Sequence, residues 1–454
     1  MAVTIGADAT SVFPRFLDLL YPSVERGDGV WLTTAEGRRI LDAAAGGAMV
    51  TCLGYGVDEL ITAFTTQAER LSYFYNHHVT SEPQERLAER MLEVVAPEMS
   101  RVRFVSGGSE ANETALQLAR LYHVERGDTA RWRVISFAQS YHGSTMGTLA
   151  LSGRPHLQTP FEPYLAEHLH IPPATWRFDP SGEAALDALD RALESAGPDS
   201  IAAFFCEPVG AAALPGHQPP DRFWRGLAER RDEHGFLVCF DEVVTGLGRT
   251  GSWLAAHRLP IEPDIVAIGK ALGGGYVPLG AVLCRGHVYE AIERGSREFD
   301  LGHTWDGAPL STAVGLAVLD VLVERALVER VAERGPALLD ELRSALRGSD
   351  IVEDVRGHGF LLGFELVDPR DGESFLPVDL DAASLVDDTA LEHGVLVTST
   401  HPQADGFAGD QVLIAPPYVT GDDELAQMVE RIAATMADVE RIVKDRLPAA
   451  SGSA

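Results

Sequence analysis

The sequence predicts an α/β protein built around a mainly parallel β-sheet. Between about residue 100 and residue 285, short apolar runs alternate with stretches of helical periodicity, the pattern of repeated βαβ units. The 454 residues are 45% apolar and 23% charged, which is typical of a globular protein with a large core and two or three lobes. No run approaches the roughly 18 apolar residues of a membrane span, so no transmembrane helix is predicted.

The predicted sheet consists of six apolar runs. They are VRFV (102–105), WRVISF (132–137), IAAFFC (201–206), FLVCF (236–240), DIVAIG (264–269) and GAVLC (280–284). In parallel sheets, functional groups collect just beyond the carboxyl ends of the strands. Glu207, Asp241 and Lys270 each directly follow one of these runs. We therefore expect two acids and one lysine at one edge of the sheet.

A glycine loop follows the first run. The segment SGGSEANETALQLARLY (106–122) opens into a predicted helix with apolar residues at helical spacing. These apolar residues are Ala115, Leu118, Ala119 and Tyr122. The loop and the helix start should lie at the same edge as the acids and the lysine.

The net charge restricts the binding partners of the protein, and the amino-terminal segment bears on its cellular location. The formal net charge of −30 argues against nucleic acid, which needs a basic surface, and against anionic membranes. A solvated acidic surface that aids solubility explains the charge, and adaptation to a salt-rich host is the alternative. Residues 1–22 lack the basic and apolar regions of a secretory signal, so we expect a cytoplasmic protein.

Several conspicuous side chains have structural explanations. The cysteines are Cys52, Cys206, Cys239 and Cys284. Their wide spacing predicts buried thiols in a reducing compartment, without a disulfide framework. His77 and His78 lack a carboxylate or cysteine at ligand spacing, so no metal site is predicted. Arg249 and Arg356 are expected to be structural.

One lysine stands out in the composition. Only two of the 37 basic residues are lysines, Lys270 and Lys444. A lysine at a strand end can extend its amine to water. Unlike arginine, it can also lose its proton and attack a carbonyl to form a Schiff base. Because the chain uses arginine almost everywhere else, its retention of Lys270 favours the second interpretation.

A lysine imine suggests pyridoxal 5′-phosphate (PLP), which needs two further groups. One is an anion beside the pyridinium nitrogen, and Asp241 can supply it. The other is a phosphate cradle, which the N–H groups of Gly108 and Ser109 at a helix start and the Ser109 hydroxyl can supply. The three features together predict a PLP site.

Longer motifs extend over nearly the whole chain. The most specific are FDEVVTGLGRTG (240–251) and PDIVAIGKALGGGYVPLGAVL (263–283). The others are FVSGGSEANETALQLAR, SYHGSTMGTLALSG, CEPV, GHTWDGAPLSTA, VRGHGFLLGFEL and IAPPYVT. Taken in their order along the chain, these motifs resemble those of the class III (omega) aminotransferases, a family of fold type I PLP enzymes.

The resemblance implies two domains. A large domain would contain a mainly parallel seven-stranded sheet, and both chain ends would form a smaller α+β domain. The expected bounds are 1–58 and 331–446 for the small domain, 59–330 for the large PLP-binding domain and 447–454 for a disordered tail. Within the first segment, GVWLTTAEGRRILDAA (29–44) predicts a hairpin with Glu36 and Gly37 at its turn.

The resemblance also implies residue roles around the cofactor. Lys270 would hold the internal aldimine, Asp241 would face the pyridine nitrogen and Val243 would pack under the ring. Gly108 and Ser109 would bind the phosphate.

Further roles come from three shorter motifs. Tyr141 in SYHG would stack on the other face of the ring, beside His142 of the same motif. Glu207 in CEPV matches the acid near the cofactor hydroxyl and the substrate entrance. Thr304 in GHTWDG resembles the threonine that reaches the phosphate of the other subunit, which implies a homodimer with shared active sites.

The implied activity is a two-stage amino transfer in which Lys270 moves the proton. Many relatives bind a carboxylate through an arginine shortly before the PP motif, but segment 397–420 contains no arginine. Met49 stands where amine:pyruvate relatives often have tryptophan, and Met49 and Phe74 are predicted to line the substrate pocket. We therefore expect a primary amine or omega-amino compound as donor and a keto acid, pyruvate, as acceptor.

Other activities use the same parts. A racemase, an aminomutase or a decarboxylase of this fold would need the same lysine and acid, and a non-catalytic protein could keep the fold. The joint retention of Lys270, Asp241, Ser109 and Tyr141 argues against a non-catalytic protein.

Overall fold

The computed structural model describes residues 4–5, 10–17, 19, 21–401 and 406–447. Of the tail expected at 447–454, all but Leu447 lies outside the described residues.

Within the described residues, the strands fall into four sheets. Their bounds are β1 Thr4–Ile5, β2 Tyr21–Pro22, β3 Val24–Asp28, β4 Trp31–Thr34, β5 Arg39–Asp42, β6 Arg101–Val105, β7 Arg133–Phe137, β8 Leu169–Ile171, β9 Ile201–Cys206, β10 Leu237–Asp241, β11 Ile265–Ile268, β12 Gly280–Cys284, β13 Val352–His358, β14 Leu361–Leu366, β15 Val395–Leu396, β16 Thr398–Thr400 and β17 Gln411–Ile414.

The helices alternate with these strands through the middle of the chain. Their bounds are α1 Asp58–Arg70, α2 Glu82–Arg90, α3 Gly108–Glu125, α4 Met146–Leu151, α5 Pro155–Gln158, α6 Glu183–Ala196, α7 Asp221–His234, α8 Gly286–Arg294, α9 Pro309–Glu324, α10 Leu327–Leu346, α11 Ala382–Glu392 and α12 Asp422–Arg446.

The central sheet has seven strands in the order β6-β12-β11-β10-β9-β7-β8. The strands from β11 to β8 are parallel, whereas β12 is antiparallel to both β11 and β6. Because β12 alone is reversed, β6 points in the same direction as β11. The carboxyl ends of β6, β7, β9, β10 and β11 therefore meet at one edge, and the predicted α/β class is confirmed.

Each of the six predicted strands is present, with bounds that differ by at most one residue. β9, β10 and β11 are buried along their whole length, as expected for parallel strands covered by helices on both faces. Asp241 is the last residue of β10 rather than the residue after it. β8 is missing from the predicted runs because its three residues, LHI, are too few to show a periodicity.

Helix α3 covers the part of the sheet that carries β11 and β12. Its buried face includes Ala115, Leu118 and Ala119, which confirms the predicted helix after the glycine loop. Gly107 is the residue before its first turn, so the loop passes directly from β6 into the helix.

Besides the two-stranded sheet of β1 and β2, two four-stranded sheets lie outside the central one. β3, β4 and β5 form a meander that confirms the predicted hairpin, with Gly37 in the left-handed region at φ 81°. β15 pairs in parallel with β5, with Val395 opposite Leu41, so both ends of the chain contribute to one sheet. β13, β14, β17 and β16 form the other sheet. The domain bounds given above stay a prediction.

The core is apolar, and the four cysteines are buried in it as free thiols. Within the described part of the chain, no helix is both long enough and apolar enough to span a membrane.

Candidate active site

The carboxyl edge of the central sheet brings most of the predicted site residues together. Gly108 begins α3 after β6, and Tyr141 lies four residues beyond β7. Glu207 directly follows β9, Asp241 ends β10, and Lys270 lies two residues beyond β11. The direction of the strands, read from their pairing, explains why residues far apart in sequence meet here.

Lys270 lies in a strained and desolvated position. It is the first residue of a short 3₁₀ turn, Lys270–Gly273, and its φ of 45° is in the left-handed region, which is unfavourable for a residue other than glycine. Burial lowers the pKa of its amine to about 8, against the opposing charges of Asp241 and Glu207. A lysine with such a pKa is partly neutral near pH 8 and can act as a base or a nucleophile.

Asp241 is held by a buried set of donors. Its Oδ2 accepts hydrogen bonds from Asn112 Nδ2 at 2.7 Å and His142 Nδ1 at 2.9 Å, and its Oδ1 accepts one from Val243 N at 3.0 Å. Asn112 Nδ2 also donates to the His142 carbonyl at 2.8 Å. The His142 ring packs edge-on against Phe205, with centroids 5.0 Å apart. These contacts fix the carboxylate in one orientation.

Glu207 is the second acid at this edge. Burial and, to a smaller extent, the charge of Asp241 together raise its pKa to about 7. Its Oε1 accepts from Ala211 N at 3.1 Å and its Oε2 from Tyr141 N at 3.4 Å. The side chain therefore joins β9 to the Tyr141 loop.

The amino terminus of α3 presents free backbone donors. The first N–H groups of a helix have no partner within it, so those of Gly108 and Ser109 can bind an anion. A Cβ atom at Gly108 would lie 2.6 Å from Val243 Cγ1, so only glycine fits between the helix start and Val243. The Ser109 hydroxyl accepts a hydrogen bond from Ser144 N at 3.2 Å.

Three further predicted site residues are Thr304, Met49 and Phe74. The Thr304 carbonyl accepts a hydrogen bond from the Tyr73 hydroxyl at 3.0 Å in an exposed loop. Met49 is buried in an apolar cluster with Val209 and has a φ of 59°. Phe74 is half-buried. Their roles, like those of the other site residues, stay predictions.

Arg249 and Arg356 are engaged in structural contacts, as expected. Arg249 is buried, and its Nη1 donates to the carbonyls of Phe360 at 3.1 Å and Pro416 at 2.6 Å. Arg356 Nη1 donates to Asp354 Oδ2 at 2.6 Å.

Sequence reasoning missed two residues at this site. Asn112 could have been noticed, because it is a polar residue on the buried face of α3, one turn after Gly108. Arg154 gave no local signal. Its guanidinium carbon lies 5.7 Å from the centroid of the Tyr141 ring, and only the folded chain reveals this contact.

Comparison with known protein families shows which family the chain belongs to. The profile of the family described as Aminotransferase class-III matches residues 16–436. The chain belongs to the class III aminotransferases. This aminotransferase is 33% identical to the uncharacterized aminotransferase YodT of Bacillus subtilis (strain 168), over 94% of this chain and 98% of that protein.

Solved structures of transaminases share the fold. A thermostable (S)-enantioselective omega-transaminase from Thermomicrobium roseum has a TM-score of 0.88 and 31% identity, covering 95% of this chain and 97% of its own. An omega transaminase from Pseudomonas jessenii in complex with PMP has a TM-score of 0.88 and 29% identity, covering 96% of this chain and 98% of its own. The enzyme class and the fold are thus those that the sequence motifs implied.

Proposed function

We propose that this aminotransferase uses PLP to move an amino group from a primary amine or omega-amino compound to a keto acid, with pyruvate as the acceptor. The observation that carries the proposal is the meeting of Lys270, Asp241 and the start of α3 at one edge of the sheet.

The residues present fit PLP. The helix start at Gly108 and Ser109 offers unpaired N–H donors to a phosphate, and the buried Asp241 carboxylate offers an anion to a protonated ring nitrogen. Val243 packs against Gly108 between these two groups, where it would contact one face of the ring. Tyr141 and Glu207 would contact the rest of the cofactor.

PLP, when bound, supplies an electron sink that stabilises negative charge at the amine-bearing carbon of the substrate. Lys270 would bind the cofactor's carbonyl carbon and then, as a free amine, take a proton from that substrate carbon and return it. Its pKa of about 8 leaves it partly neutral at mildly basic pH, as a proton acceptor requires. Asp241 would hold the proton on the ring nitrogen.

The substrate class rests on the residues around the entrance. Segment 397–420 contains no arginine of its own, so an alpha-amino acid donor would find no carboxylate-binding arginine within that segment. Met49 has a flexible thioether where tryptophan would be bulkier and more rigid, which favours a roomier apolar pocket. Phe74 would form a further part of that pocket.

A homodimer with shared active sites is part of the proposal. Several large apolar side chains of the amino-terminal segment are exposed, among them Phe13, Phe16 and Leu17. Trp305, beside Thr304, is 55% exposed and packs against Tyr73. A second copy would cover such side chains, and Thr304 would then face the neighbouring phosphate site.

The proposal is tested by supplying donors and acceptors in pairs. The purified protein is incubated with 1-phenylethylamine, a diamine, alanine or glutamate, each with pyruvate or 2-oxoglutarate, and the amino acid product is measured. We expect alanine from the amines and pyruvate. Preferential turnover of glutamate with 2-oxoglutarate would overturn the substrate class. Turnover without any keto acid, or release of carbon dioxide, would indicate a racemase, an aminomutase or a decarboxylase.

A further inference from the structure

Arg154 brings a guanidinium to the segment that lacks an arginine of its own. Arg154 lies directly before α5, and its Nη2 donates to Thr400 Oγ1 at 2.9 Å. Thr400 ends β16 and belongs to segment 397–420. The positive charge at this position of the fold therefore comes from a residue 246 positions earlier in the chain.

The guanidinium of Arg154 lies beside the Tyr141 ring and within reach of the charge of Glu207. Its carbon lies 5.7 Å from the centroid of the Tyr141 ring. Burial lowers the pKa of Arg154, and the Glu207 carboxylate acts against this shift. Glu207 also acts on the pKa of Lys270, so Glu207 lies within electrostatic reach of both cations. Arg154 thus lies at the same sheet edge as Lys270, next to two residues that are predicted to contact the cofactor.

A half-buried guanidinium is a strong binding group for a carboxylate. Its planar set of N–H donors matches the two oxygens of a carboxylate, and partial burial strengthens the interaction because solvent screens it less. The Thr400 hydroxyl fixes the side chain from the other domain segment, so that less entropy is lost when a carboxylate binds. Of the two proposed substrates, only the keto acid must carry a carboxylate.

We propose that Arg154, positioned by Thr400, binds the carboxylate of the keto acid acceptor. This inference rests on the proposed function and adds a specificity-determining residue to it. The amine donor has no carboxylate to place there, so the same pocket accepts both substrates by filling the Arg154 position only in the second stage of the reaction.

The test compares acceptors with and without a carboxylate. For Arg154→Met, kcat/KM for pyruvate should fall about 10- to 100-fold relative to kcat/KM for butanal, which has no carboxylate. The fall should lie mainly in KM, because the interaction is made with the bound acceptor as well as in the transition state. Arg154→Lys, which keeps the charge but not the planar fork, should recover part of the ratio.

Two further variants separate binding from folding. Thr400→Val should raise KM for pyruvate by a smaller factor, because the guanidinium loses its positioning contact. Arg222→Met is the matched control, since Arg222 forms an exposed ion pair with Glu183 and should leave the pyruvate-to-butanal ratio unchanged. If Arg154→Met lowers kcat/KM for pyruvate and for butanal equally, or lowers neither, the inference is wrong.

A binding measurement keeps this inference distinct from the proposed function. Propanoate has a carboxylate but no keto group, and its Kd can be measured by calorimetry without turnover. Arg154→Met should weaken propanoate binding about 10-fold or more, while Arg222→Met should not. If the wild-type protein transfers no amino group to pyruvate, the proposed function fails. If propanoate binds equally well to wild type and Arg154→Met, the Arg154 inference fails.

Discussion

At the residue scale, the proposed chemistry depends on Lys270 and Glu207, whose pKa values are shifted by burial. Lys270 and Asp241 could be predicted because each lies at a strand end, where the sequence itself marks the position. Asn112 could have been singled out as a polar residue on the buried face of α3, but its partner Asp241, 129 positions away, could not. Arg154 could not be predicted at all, because Thr400 lies 246 positions away and no periodicity links the two. Side-chain contacts across a fold are set by packing rather than by local pattern.

The lowered pKa of Lys270 predicts how fast apoprotein takes up PLP at different pH values. Only the neutral amine attacks the aldehyde, and burial lowers its pKa from 10.5 to about 8, so the rate should rise with pH and reach half its maximum near pH 8. Stopped-flow absorbance after addition of PLP measures this rate. In Asp241→Asn the midpoint should move to lower pH, because a charge that raises the pKa is lost. A midpoint near 10.5 would contradict the account.

Asn112 is predicted to be a positioning residue for Asp241. Asn112→Ala removes the Nδ2 donor to Asp241 Oδ2 and to the His142 carbonyl, leaving buried acceptors with fewer partners. We expect a loss of about 1–3 kcal/mol in the free energy of unfolding and a fall in kcat of about 10-fold or more. Urea denaturation and steady-state kinetics measure the two effects. Unchanged kcat together with lowered stability would restrict Asn112 to a structural role.

At the element scale, the strands and the first helix were largely readable from the sequence. Continuous apolar runs predict β9, β10 and β11 because these strands are buried on both faces. The short edge strand β8 could not be read, since its pairing with β7 rather than its composition makes it a strand. The junction of β6 and α3 places Gly108, at the end of the glycine loop, against Val243.

A side chain at Gly108 should disturb the cofactor site through Val243. Gly108→Ala places a Cβ 2.6 Å from Val243 Cγ1, so Val243 must move, at a cost of about 1–3 kcal/mol. We expect the Kd for PLP to rise about 10-fold or more, measured by fluorescence titration. Val243→Ala in the Gly108→Ala background should restore part of the affinity. Strictly additive losses in the double variant would show that the two residues act independently.

At the scale of the whole molecule, two features depend on more than local pattern. The pairing of β15 with β5 joins segments about 350 residues apart, and no sequence pattern predicted it. The resemblance to a family implied only that both chain ends contribute to one small domain. The net charge of −30 describes the surface but does not indicate which part of it binds a second copy. The exposed apolar side chains are the part of the surface that we propose a second copy covers.

Solution mass tests the proposed dimer. Analytical ultracentrifugation should give twice the 48.9 kDa mass of the chain. Trp305→Glu places a charge on a 55% exposed indole beside Thr304, and we expect dissociation to the monomer and weaker PLP binding. Val378→Glu, at a 72% exposed position in another part of the chain, is the control and should remain dimeric. A wild-type mass of one chain would contradict the proposal of shared sites.

The central claim is that Lys270 carries PLP and that the enzyme passes an amino group through it. The most direct measurement is the visible spectrum of the purified protein with PLP, before and after addition of 1-phenylethylamine and then of pyruvate. We predict a visible band that the amine bleaches and pyruvate restores, and no such band in Lys270→Ala or Lys270→Arg. If the wild-type protein shows no band, or if both variants behave like it, the account of Lys270 is wrong.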